Sequence, residues 1–159
     1  MNGRLLRYSA TTVLALLFTL TSSASRAAED GQQKTMDGLS VYVGVLPAAM
    51  LLGHPKGHHE RGMHGGVPAG TSRYHVVVAL FDAASGKRIT DAQVKIGGAS
   101  IGMAASRKKA EPMLVNNVVT YGNYVSMPGP GPYKIQIEIR RPGVSKPVEV
   151  EFDYPFART

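Results

Sequence analysis

Hydrophobic and polar residues alternate most clearly near the C-terminus. Tyr133, Ile135, Ile137 and Ile139 fall on one side of a pleated chain, and Lys134, Gln136, Glu138 and Arg140 on the other. Val148, Val150, Phe152 and Tyr154 oppose Glu149, Glu151 and Asp153 in the same way. A period of two marks half-buried strands. Arg141-Pro142-Gly143 begins the connection, so the pair is expected to form a hairpin. Further upstream, Leu39–Leu46 and Asp91–Ile96 alternate as well. Arg73–Phe81 is apolar on both faces, as a central strand should be. Val118–Val125 is a further strand, with weaker candidates at Ser100–Ala104 and Glu111–Val115. Pro47–Leu52 admits a short helical turn, and Asp82–Lys87 reads as a turn.

Short strands punctuated by turn signals, with no convincing helix, imply an all-β fold. The expected architecture is an immunoglobulin-like β-sandwich of seven or eight strands, with a small closed barrel as the alternative. There is no cysteine and no tryptophan. An antibody-type Cys…Trp…Cys core is therefore excluded, and the fold must be held by its core rather than by disulfides.

The N-terminus has the three-part layout of a secretory signal peptide. Arg4 and Arg7 are followed by an apolar run centred on Val13–Leu20 and then by small residues ending in Ser25-Arg26-Ala27-Ala28. The run is shorter than the roughly 20 apolar residues of a membrane span. The expected organisation is a signal peptide over 1–27, a flexible lead-in over 28–38, and one domain over 39–156 with a His-rich loop at 53–70. The mature protein would be periplasmic or secreted. Removing Arg4, Arg7 and Arg26 lowers the formal charge from +7 to +4. That is an ordinary surface with no nucleic-acid-binding stripe, and the dense patch Arg107-Lys108-Lys109 reads as a solvated loop.

Candidate chemistry is concentrated in one place. All five histidines lie between residues 54 and 75. His54, His58, His59 and His64, with Met63, share a stretch rich in glycine and proline. Imidazole and thioether are copper ligands, and imidazole also serves zinc and nickel. The glycines and prolines argue against a helix, so the loop is expected to be flexible, with modest affinity and poor selectivity. His75 begins a strand and offers a rigid ligand. Met113 and Met127 are further thioethers, although methionine is more often core filler. No nucleophile elbow, His-Glu-x-x-His motif or phosphate loop is present, which points away from an enzyme.

Tyr74–Asp82, the turn at Ser85-Gly86-Lys87 and Thr90–Val94 resemble the opening strands of YtkA-like and copper-resistance-C-like exported domains. The corner Pro130-Gly131-Pro132-Tyr133 resembles their late strand entry. The chain is also similar to the periplasmic proteins of high-affinity iron uptake, which bind copper on a β-sandwich. In those a methionine precedes a His-Tyr-Gly-Asn-like element; here Pro112-Met113 precedes Thr120-Tyr121-Gly122-Asn123. The resemblance spans roughly residues 72–154 and implies a β-sandwich that works outside the cytoplasm. Thr120 stands where that family has histidine, and threonine is no soft-metal ligand. Met113 and His75 are what remains of the inherited site, with the histidine loop as the candidate replacement. The expected metal residues are thus His54, His58, His59, Met63, His64, His75 and Met113. The expected role is copper buffering or delivery to a periplasmic or inner-membrane metalloprotein or transporter. The alternative is an interaction module, such as an accessory subunit of a membrane transport or respiratory complex.

Overall fold

The structure is a computed structural model that describes residues 31–155. The expected signal peptide lies outside the described residues. Eight strands follow one another: β1 (Gln33–Met36), β2 (Leu39–Pro47), β3 (Arg73–Asp82), β4 (Gln93–Ser100), β5 (Lys108–Val115), β6 (Val118–Ser126), β7 (Tyr133–Arg140) and β8 (Val148–Tyr154). All pair antiparallel, in the order β1-β2-β3-β6-β5-β4-β7-β8. The all-β expectation of seven or eight strands holds, but the two layers belong to one nearly closed sheet. Strand β5 joins them. Its first residues pair with β4 (Ala110 opposite Val94), and its later ones pair with β6 (Met113 opposite Thr120). Pro112 has no N–H to donate and is accommodated in the later part of β5.

The alternating positions behave as their pattern requires. Ile135, Ile137 and Ile139 of β7 and Val148, Val150 and Phe152 of β8 are buried together, and the two strands form the expected hairpin. Tyr74, Val76, Val78 and Leu80 of β3 enter the same core from the opposite layer, with Tyr121 and Val125 of β6. At about 25 cal/mol per Å² of apolar surface, this cluster supplies the main stabilisation of a chain without disulfides. The open edges approach where Lys34 of β1 lies over the Phe152 ring of β8, at 5.6 Å.

Three local readings are corrected. Within the expected lead-in, Gln33–Met36 forms β1. It is turned back onto β2 by Asp37 (φ 49°) and Gly38 (φ 76°), the left-handed pair of a two-residue hairpin. Ser100–Ala104 is not a separate strand. Ser100 ends β4, and its carbonyl accepts the Met103 N–H across a turn with Gly102 at φ 83°. Arg107 is not merely solvated. It bridges Glu149 at 3.0 Å and Glu138 at 3.4 Å, while Lys108 and Lys109 open β5.

The segment after β4 folds back tightly. A Cβ at Gly97 would lie 2.9 Å from the Ala105 Cβ and 3.0 Å from the Ser106 carbonyl oxygen. Because a backbone atom obstructs it, Gly97→Ala should lower unfolding free energy by about 1–3 kcal/mol in urea titrations. An unchanged midpoint would show that the 101–106 segment moves freely.

Candidate metal centre

The 25 residues between β2 and β3 form a cap. It consists of a 3-10 turn at Ala48–Gly53, a single turn of helix, α1 (His59–Gly62), and a second 3-10 turn at Met63–Gly65. The glycines and prolines therefore permit brief helical turns instead of an open loop. Ala48 and Leu51 pack on Tyr124 of β6, with Leu46 and Val67 beside them. The cap thus covers the face of β3, β6 and β5 that points away from the main core.

Pleating decides what lies beneath it. In β3, Tyr74 and Val76 face the core, so His75 faces the cap. In β6, Tyr121 and Val125 face the core, so Thr120, Gly122 and Tyr124 face the cap. His75 lies opposite Tyr124, Glu111 opposite Gly122, and Met113 opposite Thr120. His75, Met113 and Tyr124 are all buried.

Gly122 is the floor of this site. A Cβ there would lie 2.7 Å from Met113 Cε, 3.0 Å from Met113 Sδ and 3.1 Å from His75 Nε2. Thioether sulfur and imidazole nitrogen therefore converge on one small space that only glycine leaves open. A glycine within a strand often marks such a close approach.

His64 enters from above. Its backbone is left-handed (φ 57°, ψ 30°), followed by Gly65 at φ 81° and Gly66 at φ 97°. That conformation costs an L-residue about 1–2 kcal/mol. It seats a side chain that is only 2% exposed. The His64 ring centroid is 5.3 Å from that of His75 and 5.8 Å from that of Tyr124. His64 Nδ1 is 2.9 Å from Glu111 Oε2. With the proton on Nδ1 donated to that carboxylate, Nε2 keeps its lone pair. Metal-bound histidines are commonly oriented in this way.

Two buried imidazole nitrogens, His64 Nε2 and His75 Nε2, have no hydrogen-bond partner. Leaving such a group unsatisfied costs about 1–3 kcal/mol, so a pair calls for an explanation. Burial, reinforced by the nearby His64, pushes the His75 pKa down to about 4. His75 is therefore neutral at pH 7 and able to donate its lone pair. Burial likewise raises the Tyr124 phenol, which stays protonated as a wall of the site. Two nitrogens and one sulfur fit copper. The soft thioether suits Cu(I), and imidazole suits Cu(II) as well as zinc.

Of the residues singled out from sequence, His64, His75 and Met113 are brought together. Met63 is buried in the cap. Met127 is core filler, as methionine usually is. His54 and His58 lie elsewhere, on the outer side of the cap, so their rings do not gather with that of His64. The side chain of His59 lies outside what the structure describes. Glu111 is a part of the site that the sequence expectations omit, and Gly122 enters them only within the Thr120-Tyr121-Gly122-Asn123 element. Glu111 is two residues from Met113, and hence on the same strand face. That spacing was the available signal for it.

No known family profile matches the chain, and no curated protein does. Solved structures do. FetP of uropathogenic Escherichia coli, as isolated after expression in the periplasm, aligns with a TM-score of 0.59 at 18% identity. The alignment covers 79% of this chain and 93% of FetP. This chain shares its fold with FetP. A copper-bound glutamate-to-glutamine variant of FetP aligns with a TM-score of 0.57 at 19% identity, covering 78% of this chain and 93% of that one. A DUF4426 family protein of Pseudomonas aeruginosa aligns with a TM-score of 0.57 at 11% identity, covering 79% and 96%. The distant similarity to copper-binding periplasmic proteins read from the sequence is thus matched by FetP at the level of fold. Among the described residues, no helix is long and apolar enough to cross a membrane.

Proposed function

We propose that this chain is an exported periplasmic protein that binds copper through His64, His75 and Met113, for buffering or for delivery to a membrane or periplasmic partner. The observation that carries the reading is the convergence of Met113 Sδ and His75 Nε2 above Gly122. The unpartnered Nε2 atoms of His64 and His75 add to it. The copper-bound state of FetP, which has the same fold, supports the choice of metal.

The residues divide the work. His75 and Met113 project from paired strands and hold fixed positions. Glu111 sets the tautomer of His64 and aims its ring. Tyr124 and the cap exclude water. His64 alone belongs to the cap, so movement of that short segment withdraws one ligand while two stay in place. Such a site suits transfer of cargo, because ligands are exchanged one at a time with a receiving protein.

The test is the metal content of the untagged mature protein, isolated from its own periplasm without chelators, followed by Cu(I) competition titrations. Near-stoichiometric copper is expected. Met113→Leu should weaken Cu(I) binding by at least about tenfold, on the scale of losing a metal-site partner. Zinc or nickel in place of copper would keep the site and change the cargo. A protein that is isolated empty and takes up neither Cu(I) nor Cu(II) would overturn the reading in favour of an interaction module.

A further inference from the structure

We propose that His54, His58 and Glu60 form a second, solvent-exposed site for a divalent transition ion, built from different ligands than the buried centre. One ligand atom from each lies within 4.8 Å of the others. His54 Nε2 is 3.3 Å from Glu60 Oε2, and the His54 and His58 rings stack with centroids 4.4 Å apart.

The backbone holds this group in place. The His58 N–H donates to the Pro55 carbonyl at 2.9 Å, closing a turn that brings His54 and His58 side by side. His58 is the residue before α1, and Glu60 lies in its first turn. The Arg61 N–H donates to the His58 carbonyl. The Arg61 guanidinium donates to the His54 carbonyl at 3.0 Å and the Leu52 carbonyl at 3.4 Å. The guanidinium thus ties the two ends of the segment, and much of the ordering needed for binding is already present before an ion arrives.

The donor set differs from the buried one in kind. Two imidazoles and a carboxylate, without sulfur, suit Cu(II), Zn(II) or Ni(II) and offer little to Cu(I). Exposure leaves coordination positions for water. An ion bound there would replace the His54–Glu60 contact and put its charge beside one carboxylate. The positive charge of Arg61 opposes it and limits the affinity.

The experiment uses the full mature chain with His75→Leu, which disables the buried centre. Zn(II) is titrated by calorimetry, and Cu(II) is followed by electron paramagnetic resonance. One divalent ion per chain should remain bound, with a Cu(II) signal showing nitrogen coupling. Adding His54→Ala and His58→Ala should weaken it by about tenfold or more. These positions are exposed or half-buried, and circular dichroism of the same samples checks that folding is kept. Glu60→Gln, which preserves shape, should weaken binding as well. Absence of divalent binding in the His75→Leu chain would overturn the proposal, as would binding that survives loss of both histidines. The buried centre is judged separately, from Cu(I) uptake by the chain with His54 and His58 replaced.

Discussion

Metal-free protein carrying His75→Leu is expected to be at least as stable as the wild type at pH 7, and more stable at pH 4.5. Offered copper, the same variant should fail to bind it at the buried centre. His75 is 3% exposed and leaves Nε2 without a partner. Leucine has similar bulk and removes that unsatisfied atom, a gain of about 1 kcal/mol. The pH dependence follows from the depressed pKa. Folded His75 protonates near pH 4, whereas the unfolded chain does so near 6.5. Between those values the unfolded state binds more protons. Wild-type stability therefore falls as pH drops from 6.5, and the loss is complete once pH passes below 4. The leucine variant lacks this component, and the carboxylates that titrate nearby are common to both proteins. Urea titrations at the two pH values, with chelator present, give the comparison. Copper affinity measured on the same samples should fall by more than about 100-fold, beyond the loss from a supporting residue. A variant less stable at both pH values would mean that His75 contributes to packing through contacts that leucine does not reproduce. Retained copper would remove His75 from the site.

Gly122→Ala is expected to impair metal binding while leaving every ligand in place. The added methyl would occupy the space where Met113 Sδ and His75 Nε2 meet, 3.0 and 3.1 Å away. Its closest contact, at 2.7 Å, is Met113 Cε, the free end of a flexible side chain. The methionine can swing aside at little expense to folding. Alanine also recovers about 0.5–1 kcal/mol of the entropy that glycine loses in a strand. Thermal unfolding of the metal-free variant should therefore stay near the wild-type value. Cu(I) affinity should drop by about tenfold to 100-fold. Gly97→Ala is the contrasting case, because there the obstacle is a carbonyl oxygen and the penalty falls on folding. If Gly122→Ala binds copper normally, the ion sits away from this floor, and Met113 is core.

Much of the fold was legible because β-strand burial leaves a local trace. Tyr133–Arg140 and Val148–Tyr154 alternate cleanly and pair as expected. Strand β1 has a readable sign, Asp37-Gly38, but Gln33, Lys34 and Thr35 are polar and none of its four residues is buried, so composition argues for a lead-in. Ser100–Ala104 has the composition of a strand, but its apolar residues Ile101 and Met103 are exposed. The site was legible in its ingredients and not in its selection. Clustering of histidine pointed to metal, and the family resemblance singled out His75 and Met113. Which loop histidine would join them depended on a left-handed turn at residue 64 and on a carboxylate 47 positions away. No local pattern encodes such a meeting. Thr120 does not restore a ligand; its hydroxyl is directed to the Met113 carbonyl at 3.5 Å.

The pleat separates two sets of obligations along the same strands. Tyr74 and Val76 serve the interior, while His75 between them serves the cap. Tyr121 and Val125 serve the interior, while Gly122 and Tyr124 serve the cap. Exchange of a ligand on the capped face leaves the interior untouched, and repacking of the interior leaves the ligands where they were. A chain built on this plan can gain or lose a ligand on the capped face and still fold around the same core. The fold therefore does not depend on which side chains line the capped face, and FetP has the same fold at 18–19% identity.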